Sequence, residues 1–83
     1  MAIKIDWSER AREDIRALGR ATAMLIFDGL LRYAQTGHGD VKALQGELDG
    51  RLRLRIGDHR IVFSPIQDGI HIHAVKNRKD AYR

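Results

Sequence analysis

Arg51, Arg53 and Arg55 alternate with Leu52, Leu54 and Ile56, and Arg60 follows beyond Gly57-Asp58-His59. A guanidinium is a planar fork of donors that matches phosphate oxygens two at a time. Several forks on one surface would hold a chain of phosphates and offset the charge that develops on a phosphorus under attack. Arginine stays protonated above pH 12 and is a poor proton acceptor. Acid–base work would therefore fall to His71, His73, Lys42 or Tyr82. Each of these also has a plain reading: polar residues of a strand face for the histidines, a solvated lysine, a packing tyrosine. The arginines themselves also have one, as an ordinary solvated strand face.

The elements that must position these groups follow from periodicity. Residues 51–56 and 59–63 alternate apolar and polar, the pattern of half-buried strands, and Gly57-Asp58 between them is a two-residue hairpin signal. That turn sets Ile56 opposite His59, Arg55 opposite Arg60, Arg53 opposite Val62 and Arg51 opposite Ser64. One face then carries Leu52, Leu54, Ile56, Ile61 and Phe63, and the other the four arginines with Val62 and Ser64. A further strand over residues 70–75, turning at Asp68-Gly69, would add Ile70, Ile72 and Ala74 to the apolar face. It would add His71, His73 and Val75 to the arginine face. Like charges directly opposed in a sheet repel, so Arg55 beside Arg60 calls for a counter-charge. Asp58, Glu47 and Asp49 are near in sequence but lie in loops, and a phosphate chain is the alternative.

Upstream, Ile3 and Ile5 alternate with Lys4 and Asp6 as a short strand. Ser8 suits a helix N-cap, Ala11, Ile15 and Leu18 fall at helical spacing, and Gly19 is a stop. A second helix is expected from Arg20 to Thr36, apolar over most of its circumference and so placed between the first helix and a sheet. Gly29 at its centre points to close packing. Residues 37–40 read as a loop and 41–44 as a short strand or turn. Trp7 reads as core. The order β-α-α-β-β-β predicts an α+β domain over residues 1–83: a helical hairpin packed on one face of a twisted, mainly antiparallel sheet of four to five strands.

Composition narrows the function further. The chain has 83 residues and no cysteine, which excludes disulfides, thiolate metal sites and a cysteine nucleophile. His71-x-His73 offers two zinc ligands without a third, and no phosphate-binding glycine loop, GxSxG or HExxH is present. No metal or cofactor is expected. No apolar run approaches the ~20 residues that span a bilayer, and the first residues lack a signal-peptide pattern; a cytoplasmic protein without membrane partners is expected. The net charge of +4 is uneven. Residues 51–83 hold Arg51, Arg53, Arg55, Arg60, Lys76, Arg78, Lys79 and Arg83 against Asp58, Asp68 and Asp80, a net of +5. Such asymmetry points to a polyanionic partner.

Three stretches together, Leu44-x-Gly46, residues 53–63 (RLRIGDHRIVF) and residues 77–83 (NRKDAYR), resemble the RelE/ParE superfamily of toxins from type II toxin–antitoxin systems. Ile5-x-Trp7 and the helical hairpin fit as well, so the resemblance spans essentially the whole chain. It implies a toxin that cleaves mRNA on the ribosome and blocks translation. The cleavage is metal-independent: the 2′-hydroxyl attacks the neighbouring phosphate and leaves a 2′,3′-cyclic end. It also implies a cognate acidic antitoxin, with operator DNA bound only by the toxin–antitoxin complex. Arg53, Arg55, Arg60 and Arg78 match basic active-site positions, and Tyr82 matches a C-terminal tyrosine that stacks on a base. Lys42 lies where some relatives carry a catalytic residue. Arg51 and Arg53 stand where the RelE branch favours lysine, which leaves the general base open. Lys42, Arg51, His71, His73, Lys76, Lys79 and Arg83 are the expected RNA-binding set. Two other readings remain: a ParE-like inhibitor of DNA gyrase on the same fold, and a basic RNA-binding module without catalysis.

Overall fold

The computed structural model describes residues 3–46 and 50–77. Five strands and two helices follow in the order β1 (Lys4–Trp7), α1 (Glu9–Arg16), α2 (Arg20–Thr36), β2 (Asp40–Ala43), β3 (Leu52–Ile56), β4 (His59–Ile66) and β5 (Gly69–Asn77). They form one mixed sheet in the order β1-β5-β4-β3-β2, with both helices against it. Every pair is antiparallel except β1 with β5, which run parallel. The α+β architecture expected from the sequence is therefore present.

Local chemistry explains the boundaries. Ser8 caps α1 by accepting the Ala11 N–H at 3.0 Å. Gly37, in the left-handed region at φ 76°, closes α2 by donating its N–H to the Tyr33 carbonyl at 2.8 Å. Gly57 at φ 58° makes the β3–β4 turn, and the register places Arg55 opposite Arg60 and Arg53 opposite Val62, as read from the sequence. Gly69 is required where β1 docks on β5, because a Cβ there would overlap the Lys4 carbonyl. Pro65 lies where β4 has outrun β3, so its missing N–H costs no ladder bond on that side.

The core joins one helix face to one sheet face. Ala11, Ile26 and Leu30 from the helices meet Leu54, Ile61, Phe63, Ile70, Ile72 and Val75 from the sheet. Trp7 packs against this cluster, with its ring edge-on to Phe27 at 5.4 Å.

Three expectations are corrected. The β4–β5 turn falls at Gln67-Asp68, one residue before Asp68-Gly69; the pairing moves by two and each side chain keeps its face. A bulge between Val62 and Phe63 leaves His73 as the extra residue on β5, because Val62 pairs with Ala74 and Phe63 with Ile72. Parity reverses beyond it: Val75 enters the core and Ala74 joins the arginine face. Finally, α2 is not enclosed. Its Ile26 and Leu30 are buried, but Met24, Leu25, Phe27 and Leu31 stay 40–57% exposed, since α1 lies on β5 and covers little of α2.

Candidate functional site

Cross-strand partners share a sheet face, and the register gathers the charged residues on the face away from the helices. Lys42 on β2 stands beside Arg53 on β3, and Asp40 beside Arg55. Arg55 stands beside Arg60 on β4, and Arg60 beside Lys76 on β5. Arg53 is 8% exposed, and its Nη2 lies 3.4 Å from Asp40 Oδ1. Of the counter-charges expected, Glu47 and Asp49 lie outside the described residues, and the carboxylate that the structure sets against Arg53 is Asp40. The sequence hid it because residues 37–40 read as a loop, whereas Asp40 opens β2. Arg55 is exposed, with Nε 3.5 Å from the Gly57 carbonyl oxygen, toward the hairpin turn.

Near the middle of this face is a shallow basin of about 340 Å³ lined by Ser8, Arg10, Arg51, Val62, His73, Ala74 and Lys76. Val62 and Ala74, paired across β4 and β5 and both nearly buried, make an apolar floor. Arg10, Arg51 and Lys76 supply three cations around it. A small apolar floor inside a cationic rim accepts a flat ring or a sugar while holding its phosphates. A larger cavity of about 560 Å³, bounded by Ile3, Tyr33, Pro65 and Ile70, is lined by none of the arginines.

A polar chain crosses the same face. His71 Nδ1 lies 2.6 Å from Asp6 Oδ2, the His71 and His73 rings meet edge-on at 4.8 Å, and His73 Nε2 lies 2.7 Å from Ser64 Oγ. The hydrogen bond from His71 holds the Asp6 carboxyl below the usual carboxylate range. Burial, then the charge of Arg51 and then His71, push the His73 imidazole below its ordinary 6.5. Ser8 Oγ donates to the His73 carbonyl at 2.8 Å, so the cap of α1 also holds the bulge of β5. Asp14 accepts the neighbouring Val75 N–H at 3.0 Å.

Of the residues singled out from the sequence, Arg51, His73 and Lys76 meet in the basin, and Arg53, Arg55, Arg60, His71 and Lys42 lie on the same sheet face. Arg51 precedes β3 and does not pair with Ser64; β3 starts with Leu52 opposite Phe63. Arg78, Lys79, Tyr82 and Arg83 lie outside the described residues. Sequence reasoning gave Arg10 and Asp6 no part in the site and placed Ser64 on the arginine face without a role. Arg10 carries a signal only in its position two residues after the Ser8 cap, which says nothing of reach across the β5 edge. Among the described residues no cluster of His, Asp or Glu could hold a metal, and no helix is long and apolar enough to cross a membrane.

A family model described as the ParE toxin of type II toxin–antitoxin systems matches residues 5–82. The YoeB dimer of Staphylococcus aureus is 26% identical over 89% of this chain and 94% of that one, with a TM-score of 0.70. The RelE–RelB complex of Pyrococcus horikoshii contains a chain 25% identical, covering 94% of this chain and 97% of its own, with a TM-score of 0.68. The RelBE2 toxin–antitoxin complex of Mycobacterium tuberculosis matches at 21% identity over 94% and 100% of the two chains, with a TM-score of 0.75, a likeness of fold. Comparison with curated proteins finds no match.

Proposed function

The chain belongs to the ParE toxin family of type II toxin–antitoxin systems, and from that premise we propose that it is a metal-independent endoribonuclease acting on mRNA at the ribosome. The observation that carries the reading is the basin: an apolar floor of Val62 and Ala74 beneath Arg10, Arg51 and Lys76, on a sheet face shared with Arg53 and Arg60. An RNA backbone laid across this face places phosphates on the guanidinium forks and a ribose or base on the floor. Attack of a 2′-hydroxyl on its own phosphate concentrates negative charge on the phosphoryl oxygens. Fixed cations at van der Waals range stabilise that charge without reorganising. Arg53 and Arg60 serve in this role, and Arg55, Arg78 and Tyr82 join them on the strength of the family resemblance. Lys42, His71, Lys79 and Arg83 extend the binding surface. Proteins of similar fold are found in toxin–antitoxin complexes, and a cognate acidic antitoxin would silence this toxin by covering these cations.

A gyrase-directed activity is the second reading, favoured by the family model, whose own description is ParE. The two are separated by running purified protein in a coupled translation reaction and in a gyrase supercoiling reaction. Inhibited translation with normal supercoiling is expected. The reverse pattern would transfer the assignment to gyrase, and inhibition of neither would end both readings.

A further inference from the structure

Arginines cannot accept the proton that such a cleavage must remove, and four residues compete for that role by type alone. The fold separates them. We propose that His73 is the general base, taking the proton of the attacking 2′-hydroxyl, with Ser64 and the His71–Asp6 pair as positioning residues; the proposal rests on the ribonuclease reading above.

Place comes first. His73 is the extra residue of the β5 bulge and the only imidazole among the residues lining the basin, where it meets Arg51 and Lys76. Bulges re-aim a side chain, and they recur beside active sites for that reason. His71 already commits Nδ1 to Asp6. Lys42 is exposed on the outermost strand and does not line the basin. Tyr82 lies outside the described residues.

Orientation comes second. His73 is fixed at both ends, its carbonyl by the Ser8 hydroxyl at 2.8 Å and its Nε2 by Ser64 Oγ at 2.7 Å. With Nε2–H donating to Ser64, the lone pair sits on Nδ1. The edge-on contact with His71, itself pinned at 2.6 Å by Asp6, limits rotation of the ring.

Charge comes third. The charged and titratable groups around His73 are Arg51 ahead of β3, Arg10 on α1, and His71 and Lys76 on β5. Burial, then the charge of Arg51 and then His71, hold the imidazole toward its neutral form, ready to accept a proton.

In the step, His73 Nδ1 takes the 2′-hydroxyl proton, and the oxygen's electron pair forms the new bond to phosphorus. The bond from phosphorus to the 5′-oxygen breaks with its electrons on that oxygen, which takes a proton from solvent. The products are a 2′,3′-cyclic phosphate and a 5′-hydroxyl, and the imidazolium returns its proton to water.

The test is single-turnover cleavage of a defined mRNA on ribosomes across pH, with RNA affinity measured in parallel. His73→Gln should slow cleavage about 10²–10⁴-fold, the range of a lost general base, and weaken RNA affinity far less. The wild-type rate should rise with pH on a limb whose midpoint lies below 6.5. That limb should vanish in His73→Gln and move toward 6.5 in Arg51→Gln, and added imidazole should restore part of the His73→Gln rate. Ser64→Ala, which keeps the imidazole, should retain the limb at a lower rate. Cleavage by His73→Gln within about threefold of wild type, far short of the expected loss, would overturn the assignment, as would an unchanged acid limb. Should that variant fail to fold, a wild-type limb that stays put in Arg51→Gln would overturn it equally. A wild-type protein that cleaves no RNA would instead remove the ribonuclease reading, and this inference with it.

Discussion

Replacing Gly29 with alanine sets two effects of similar size against each other. At an open helix position the change gains about 1 kcal/mol, because glycine gives up more backbone freedom on folding. Gly29, however, is where α2 rests on β3. A Cβ there would stand 2.6 Å from Ile56 Cδ1, 2.9 Å from Cγ1 and 3.2 Å from Cγ2. Turning the terminal methyl clears only the first contact, and a β-branched side chain has little freedom at χ1. Forcing one carbon into such a contact costs about 1–3 kcal/mol. The packing cost wins, and a net loss of about 1 kcal/mol is expected, or about 4–8 °C in melting temperature for a domain of this size. With Ile56 already shortened to alanine, the same change should stabilise by the full helix term, about 1 kcal/mol. Urea unfolding followed by circular dichroism measures all four corners of the cycle, with an unchanged m-value as the control. A Gly29→Ala protein more stable than wild type would refute the reasoning. So would a cycle additive within about 0.3 kcal/mol, the behaviour of sites that do not touch.

The remaining predictions concern the site and its supports. Ser8→Ala removes a cap and a bond to the β5 bulge and should cost about 1–2 kcal/mol, whereas Ser8→Thr, which keeps both functions, should cost a few tenths; equal losses would separate the cap from the bulge. His73 binds a proton less readily folded than unfolded, so stability should be full above its ordinary value of 6.5 and decline as pH falls below it. His73→Gln should flatten that decline in urea midpoints measured between pH 5 and pH 7.5, a window chosen to bracket the ordinary histidine range. Asp6 acts in the same direction at lower pH: its depressed carboxyl contributes above 3.8, and that contribution is lost on acidification below it. Asp6→Asn should therefore show a weaker acid transition in that range. Arg51→Ala and Lys76→Ala should each reduce the slope of log affinity for RNA against log salt by about 0.7, the contribution of one phosphate contact; two unchanged slopes would place the RNA elsewhere.

What could be read from the sequence divides along the range of the interactions. The β3–β4 hairpin was legible because Gly57-Asp58 and the alternation on either side both act locally, and together they set Arg55 beside Arg60. The helices were legible from Ser8, Gly19 and the apolar spacing between them. The swap of Ala74 and Val75 was not, since a bulge between Val62 and Phe63 answers to packing across β4 and β5 and not to residue type. Nor were the Arg53–Asp40 and His71–Asp6 pairs, each of which joins strands set side by side only by the completed sheet. The exposed Met24, Leu25, Phe27 and Leu31 mislead for the same reason: apolar periodicity tells which residues seek cover, not whether a neighbour arrives to give it.

The ends left on cut RNA test the central claim most directly. Purified protein, without added metal, would be incubated with ribosomes programmed with a defined mRNA, and the new 3′ ends examined for a cyclic phosphate. The account predicts cleavage within the coding sequence, with 2′,3′-cyclic phosphate and 5′-hydroxyl ends, and no cleavage when the nucleotide at the cut carries a 2′-deoxyribose. Intact mRNA, or ends bearing a 3′-hydroxyl and 5′-phosphate, would contradict it.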